Sequence, residues 1–87
     1  MKISFTDKGL SEYMEWIEID KKKLKKINEL IKSIMRDGLL GGIGQPEALK
    51  WAEGYSREID RFNRLVYRMD EHKNLEIISC KGHHGDK

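Results

Sequence analysis

The second half of the sequence contains side chains that could together move protons and hold a phosphate group. These residues are Glu47, Lys50, Arg57, Arg64, His83 and His84. A carboxylate can accept a proton, an imidazole can donate one near neutral pH, and cations can stabilise the negative charge that develops on a phosphoryl group. This combination suits RNA cleavage by attack of the 2′-hydroxyl on its own phosphate, which strictly needs no metal ion. Spacing alone does not bring these residues together.

Plain structural roles are also open to these residues. Glu47 could cap or salt-bridge near its loop, because exposed carboxylates are ordinary. Arg57 and Arg64 could be strand residues that pair across a sheet with Glu58 or Asp60. The residue types alone therefore leave catalysis and ordinary surface chemistry undecided.

Aromatic and metal-ligating residues offer two further possibilities. Base stacking is conceivable for Trp16, Trp51 and Tyr67, but their spacing favours a role in the core or in anchoring a loop. Zinc prefers thiolate and imidazole ligands, which Cys80, His72, His83 and His84 could supply. Their spacing lacks the two clear ligand pairs of a structural zinc site. We predict a buried Cys80 that acts as a small hydrophobic residue, and neither a metal nor a cofactor.

Length and composition indicate one domain over residues 1–87. Hydrophobic residues make up 38% of the chain and charged residues 37%, which allows a modest core beneath an ionic surface. The single cysteine excludes an internal disulfide, and the start MKISF lacks the apolar run of a secretory signal or a membrane span. We expect a cytoplasmic protein that does not associate with membranes.

Positive charge is concentrated in one segment. From Asp20 to Arg36 there are seven Lys and Arg residues and two acidic ones, a net charge of +5, whereas the whole chain carries +2. Such a segment can meet RNA phosphates or an acidic protein, or can simply be solvated. The candidate RNA-binding residues in it are Lys21, Lys22 and Lys25.

The first half of the chain predicts a strand followed by two helices. Residues 2–5 favour a strand, and Thr6 or Asp7 can cap a helix that ends near Glu18. Its predicted apolar face consists of Leu10, Tyr13, Met14 and Ile17. Asp20 can cap a second helix that Gly38 ends, and the two helices should form an antiparallel hairpin. The apolar stripe of the second helix consists of Leu24, Ile27, Leu30, Ile31, Ile34 and Met35.

The remaining segments predict a shaped loop and a β-meander. Residues 38–46 read GLLGGIGQP, and their glycines and proline exclude a regular element. Residues 55–60, 63–69 and 75–80 favour three antiparallel strands. Together with the first strand they predict an α+β fold, in which the helical hairpin covers one face of a roughly four-stranded sheet.

Four blocks of the sequence resemble a known family. They are KKINELIKSI, GIGQPEALK, YSREIDRFNRLVYRM and ISCKGHH. In order and spacing they are similar to the signature blocks of the YoeB/Txe branch of the RelE/ParE superfamily, the toxins of type II toxin-antitoxin systems. The most specific pieces are the G-x-G-x-P-E-x-L-K loop and the NRLVY strand.

The resemblance implies a RelE-like microbial RNase fold and a role for each matching residue. Glu47 matches the general base toward the 2′-hydroxyl, and Arg64 matches the arginine that stabilises the phosphoryl transition state. His83 matches the acid that protonates the departing 5′-oxygen. Lys50 and Arg57 occupy positions expected to hold RNA phosphates.

Two positions depart from the family pattern. The family usually ends in His-Tyr, whereas this chain has His84 after His83. His84 could act as an acid, could blunt the enzyme, or could be a detoxifying substitution. Glu58 stands where a second basic residue commonly follows the Ser-Arg pair, and this loss of positive charge weakens the expected binding of RNA.

The resemblance also implies partners. It predicts a ribosome-dependent mRNA endoribonuclease that inhibits translation, a cognate antitoxin that wraps it with an acidic, partly disordered segment, and possible homodimerisation. The alternative is an attenuated RelE-like module that binds antitoxin and nucleic acid without efficient cleavage. A generic basic RNA-binding domain is a third reading, in which the helix lysines matter more than Glu47 or His83.

Overall fold

A computed structural model describes residues 1–82 of the chain. The elements in chain order are β1 (Ile3–Phe5), α1 (Asp7–Ile19), α2 (Lys21–Asp37), β2 (Glu47–Ala48), β3 (Tyr55–Asp60), β4 (Asn63–Met69) and β5 (Leu75–Ser79). They form one sheet in the order β1-β5-β4-β3-β2. None of the helices in this part of the chain is long and apolar enough to cross a membrane.

The sheet confirms the predicted meander and adds to it. Strands β3, β4 and β5 pair antiparallel in sequence order, and β1 pairs parallel with β5 at one edge. The expectation of about four strands missed β2, whose two residues pair antiparallel with β3 at the other edge. Two residues are too few to show a strand period, so no local pattern indicated β2.

Helix α2 follows the sequence prediction closely. The Asp20 side chain accepts hydrogen bonds from the amides of Lys22 and Lys23, and Gly38 ends the helix with φ of 92°. The helix buries Ile27, Leu30, Ile31, Ser33 and Ile34 against the sheet, whereas Met35 is exposed. Its predicted apolar stripe is therefore confirmed except at its last position.

Helices α1 and α2 form the predicted hairpin. Asp20 alone separates them, and the Tyr13 hydroxyl donates to Asn28 Oδ1 at 2.7 Å. Tyr13 and Asn28 lie at similar distances in sequence from Asp20, so the two helices fold back on each other. Both helices contact the sheet, α1 at β5 and α2 at β3.

The predicted apolar face of α1 is wrong. Three of its four members are exposed, namely Leu10, Met14 and Ile17. The helix instead turns Gly9 and Trp16 inward, where the Trp16 indole donates to the Cys80 carbonyl at 2.9 Å. Glu12 on the same side accepts from the Cys80 amide at 2.7 Å. The buried side of α1 is therefore set by hydrogen bonds to the chain beyond β5 and by the close contact of Gly9, and the number of apolar residues on a helix face does not predict it.

Gly9 allows α1 to lie directly on β5. A Cβ atom at this position would stand 2.5 Å from the Ile77 carbonyl oxygen and 3.2 Å from that of Ile78. We expect Gly9→Ala to lower the free energy of unfolding by about 1–2 kcal/mol, because overpacking against backbone exceeds the helix-propensity gain of alanine. Urea denaturation followed by circular dichroism measures this. Ser11→Ala, on the exposed side of α1, is the control, and equal midpoints for the two variants would refute the close-contact explanation.

Candidate functional site

Three neighbouring strands place a carboxylate, a hydroxyl and a guanidinium together on the sheet face opposite the helices. Arg64 Nη2 of β4 lies 3.8 Å from Glu47 Oε1 of β2. Between them, Arg64 Nε donates to Ser56 Oγ of β3 at 3.0 Å. The pairing of Glu47 with Ser56 across β2 and β3 sets this alignment. The structure therefore brings together Glu47 and Arg64, which are far apart in sequence.

The two charged groups differ in their surroundings. The Glu47 side chain is 58% exposed, whereas that of Arg64 is only 9% exposed. Arg64 is held in the sheet by Ser56, so its orientation is set before a ligand arrives. An exposed carboxylate can accept a proton from a ligand, and an adjacent oriented guanidinium can bind the oxygen atoms of a phosphate. The arrangement suits proton transfer next to a phosphoryl group.

The chain beyond β5 returns to this site. The Arg64 amide donates to the Gly82 carbonyl at 3.0 Å, and the Gly82 amide donates to Asn63 Oδ1 at 2.9 Å. The residue that precedes His83 is thus bonded to the start of β4. His83 and His84 themselves lie outside the described residues, so their assigned roles stay predictions.

Ser56 and Asn63 are site residues that the sequence prediction did not assign. Ser56 orients Arg64, and Asn63 holds Gly82. A serine beside an arginine and an asparagine at a turn are common in sequences. Only the register of β3 against β2 and β4 reveals what these two side chains do.

The predicted RNA-binding role of Arg57 is corrected. Arg57 is 0% exposed and points to the helix side of the sheet, where it donates to Ser33 of α2 at 3.1 Å. Its remaining hydrogen bonds go to Tyr67 Oη and to backbone carbonyls of residues 38, 39 and 43. A guanidinium whose donors are all used inside the protein has none left for an RNA phosphate.

The predicted lysines are exposed but lie in two separate places. Lys50 stands in the turn after β2, on the same sheet edge as Glu47. The other candidates are Lys21, Lys22 and Lys25 on α2. Because α2 covers the sheet face opposite to Glu47, these three lysines lie away from any ligand bound at the Glu47–Arg64 pair. They could only contact a different part of a large partner.

The aromatic residues divide between the core and the surface. Trp16 is buried, and Tyr67 is fully buried with its ring stacked near Tyr55 at 5.8 Å between centroids. The expectation of a core or loop-anchoring role is confirmed for these two. Trp51 is instead 72% exposed in the turn after β2, so that expectation is wrong for it.

Cys80 is buried as predicted, directly after β5. It is 0% exposed, and this burial, together with the nearby carboxylates of Glu12 and Glu15, raises the pKa of the thiol to about 12. A thiol in this environment stays protonated at neutral pH, whereas zinc binds the thiolate. The surroundings of Cys80 therefore favour the small-hydrophobe interpretation.

Glu58 adds negative charge beside the site. It is the cross-strand partner of Arg64 and, two residues after Ser56, lies on the same sheet face. We expect Glu58→Gln to tighten RNA binding several-fold at low salt, and this gain to shrink as salt rises, since removal of a like charge favours phosphate. Fluorescence anisotropy with a short labelled RNA measures this. Glu71→Gln, in the exposed β4–β5 turn, is the matched control, and equal affinities would contradict the prediction.

The sequence and the structure are similar to those of known proteins. The family described as "YoeB-like toxin of bacterial type II toxin-antitoxin system" matches residues 5–84. Toxin YoeB from Synechocystis sp. is 48% identical over 86 residues, which cover 97% of this chain and 98% of that protein.

Solved structures agree with the sequence match. The YoeB dimer from Staphylococcus aureus superposes with a TM-score of 0.88 at 45% identity and covers 97% of this chain and 98% of its own. The YoeB chain of a heterotetrameric YoeB-YefM toxin-antitoxin complex from the same organism gives 0.86 at 45% identity, with the same coverage. The likeness extends over nearly the whole chain in each case.

Proposed function

Because the chain belongs to the YoeB-like toxins of bacterial type II toxin-antitoxin systems, we propose that it cleaves messenger RNA endonucleolytically on the ribosome. The observation that carries this proposal is the Glu47–Arg64 pair on the sheet face opposite the helices. The pair joins a proton acceptor to a cation at the residues that the family resemblance assigns to base and transition-state stabiliser. Translation would be inhibited by loss of intact message.

The proposed reaction is a transfer of the phosphoryl group within the RNA. Glu47 takes the proton of the 2′-hydroxyl, and the 2′-oxygen attacks the adjacent phosphorus. Arg64 binds the non-bridging oxygens as negative charge develops on them. The bond to the 5′-oxygen breaks, and His83 supplies the proton that this oxygen takes. The products are a 2′,3′-cyclic phosphate and a 5′-hydroxyl end.

The requirement for the ribosome is supported by the small size of the site and the position of the lysines. Few described cations stand beside Glu47, so free RNA would be held weakly. Lys50 on the same edge can add one phosphate contact. Lys21, Lys22 and Lys25 lie on the opposite layer, where ribosomal RNA is large enough to reach them while the decoding site presents the message. The reaction would then take place in the cytoplasm.

The proposed protein partners follow from the relatives. The structures of Staphylococcus aureus YoeB contain a YoeB dimer and a YoeB-YefM complex. By that likeness we propose that this chain binds a cognate antitoxin and can form a homodimer. The basic α2 is suited to an acidic antitoxin segment.

The test is to incubate the protein with translating ribosomes and mRNA and to map the 5′ ends of the fragments. The Glu47→Ala variant is run in parallel, and free RNA with EDTA serves as the control for metal-independent, ribosome-independent cutting. Cuts in phase with codons, made by the parent alone, are the expected result. Cuts that the Glu47→Ala variant also makes would refute the assigned mechanism.

The second candidate function is a binding module with attenuated catalysis. Glu58 opposite Arg64 favours it, because this carboxylate opposes phosphate binding at the proposed site. His84 in place of the family's tyrosine supports it from the sequence. Cutting that appears only after His84→Tyr would indicate an attenuated toxin. If neither the parent nor the His84→Tyr variant cuts RNA but both still bind it, the binding module is favoured.

A further inference from the structure

One buried guanidinium holds the glycine-rich segment 38–46 in place. Arg57 Nη2 donates to the Gly38 carbonyl at 2.8 Å and to the Leu39 carbonyl at 3.4 Å. Arg57 Nη1 donates to the Ile43 carbonyl at 2.8 Å. A single side chain from β3 thus reaches both the start and the later part of the segment, which lies between α2 and β2 and belongs to no helix or strand.

Ser33 and Tyr67 help Arg57 to hold the segment, and we call these three side chains the anchor. Arg57 Nε donates to Tyr67 Oη at 2.8 Å, and the Tyr67 hydroxyl in turn donates to the Leu39 carbonyl at 2.6 Å. Ser33 Oγ accepts from Arg57 Nη1 and from the Ile43 amide, both at 3.1 Å, and donates to Asp37. All five N–H donors of Arg57 are therefore used, which defines the plane of the guanidinium.

The anchored segment leads directly into the proposed general base. The Glu58 amide donates to the Gly44 carbonyl at 2.7 Å, and Gly44 lies so close to Leu30 and Arg57 that a Cβ atom there would stand 2.6 Å and 3.2 Å from them. Gly44 is three residues before Glu47 in the chain. The segment is thus fixed on the β3 backbone close to the point where β2 begins.

We propose that Arg57 is a positioning residue that sets Glu47 against Arg64. It acts on both partners of the site without touching substrate. Through the segment 38–46 it fixes the approach to Glu47, and through β3 it stands beside Ser56, which aligns with Glu47 on one side and orients Arg64 on the other. This inference rests on the proposed function of Glu47 as the base.

Lysine cannot replace the guanidinium in this role. A lysine ammonium keeps the charge but offers only three donors around one nitrogen. The planar guanidinium instead donates to five acceptors, namely Tyr67 Oη, Ser33 Oγ and the carbonyls of residues 38, 39 and 43. We expect Arg57→Lys to lower kcat by about 10²-fold, the effect of a misplacement of about 1 Å. The KM for ribosomes and its dependence on salt should stay unchanged, because no substrate contact is lost.

The experiment measures kcat, KM and salt dependence for the parent, Arg57→Lys and the control Arg68→Lys, whose arginine pairs with Glu76 of β5 rather than with the segment 38–46. Amide hydrogen exchange of residues 38–46 gives a readout that needs no activity, and we expect faster exchange in Arg57→Lys alone. If Arg57→Lys fails to fold, Tyr67→Phe removes two bonds of the anchor, the one from Arg57 Nε and the one to the Leu39 carbonyl, and should also lower kcat without raising KM.

The outcomes separate the inference from the proposed function. A rise in KM with a weaker salt dependence would show that Arg57 binds RNA and would overturn the inference while leaving the endonuclease proposal intact. Unchanged kcat, with segment exchange as in the parent, would overturn it in the same way. A parent protein that makes no cuts would overturn both proposals.

Discussion

Replacing Glu47 by alanine should slow mRNA cleavage by about 10²–10⁴-fold, the contribution typical of a positioned general base. The carboxylate is 58% exposed and its described ion pair is with Arg64 at 3.8 Å, so its removal should leave the fold intact. Single-turnover cleavage on programmed ribosomes, with thermal unfolding measured in parallel, separates loss of chemistry from loss of structure. Binding to the ribosome should change little.

Glu53→Ala is the matched control for this prediction. Glu53 is an exposed acid between β2 and β3, so its removal changes the net charge equally without touching the Glu47–Arg64 pair. We expect the Glu53 variant to cut at the parental rate. Equal losses in the two variants would mean that local negative charge, rather than proton acceptance by Glu47, supports the activity.

Replacing Arg64 by lysine should lower kcat by about 10²–10³-fold, as removal of one oriented transition-state donor does elsewhere. Lysine keeps the positive charge but loses the bond to Ser56 Oγ and the planar pair of donors that fits phosphate oxygens. Because the net charge is the same in both proteins, a loss of this size would come from the changed donor geometry. Single-turnover rates at saturating ribosome concentration measure it.

Arg68→Lys is the control for Arg64. Arg68 lies on the same strand and the same face and pairs with Glu76 at 2.7 Å. A near-parental rate is expected for this variant. In addition, the double variant Glu47→Ala, Arg64→Lys should be hardly slower than the slower single variant, because residues that act as a unit are not additive. Fully multiplicative losses would contradict a shared catalytic step.

Much of the fold was predictable because its signals are local. The period of the apolar residues in α2 and its two caps are properties of consecutive residues, as are the strand-favouring residue types of β3 and β4. The family assignment made from the four sequence blocks is confirmed over residues 5–84. The site residues Glu47 and Arg64 came from that resemblance, since their spacing in the chain did not indicate a contact.

The errors concern features that depend on distant residues. The buried side of α1 is chosen by Gly9 against Ile77 and by Trp16 bonded to Cys80, contacts that an apolar count within the helix does not include. Strand β2 exists only because β3 offers it an edge to pair with. Neither feature has a period that a window of sequence could detect.

The sequence by itself determined the element types, the segregation of charge and the residues available for acid-base chemistry, because these depend on side-chain type and local order. Only the tertiary structure decided which arginine lies beside Glu47 and which is buried on the helix side of the sheet. Arg57 is the cross-strand partner of Leu65, the residue that follows Arg64, so strand alternation sends the two arginines to opposite faces of the sheet. The Arg57 guanidinium is buried and bonded to the segment 38–46, whereas the Arg64 guanidinium lies beside Glu47. This difference arises from the pairing register of the strands, which the properties of either residue alone do not determine.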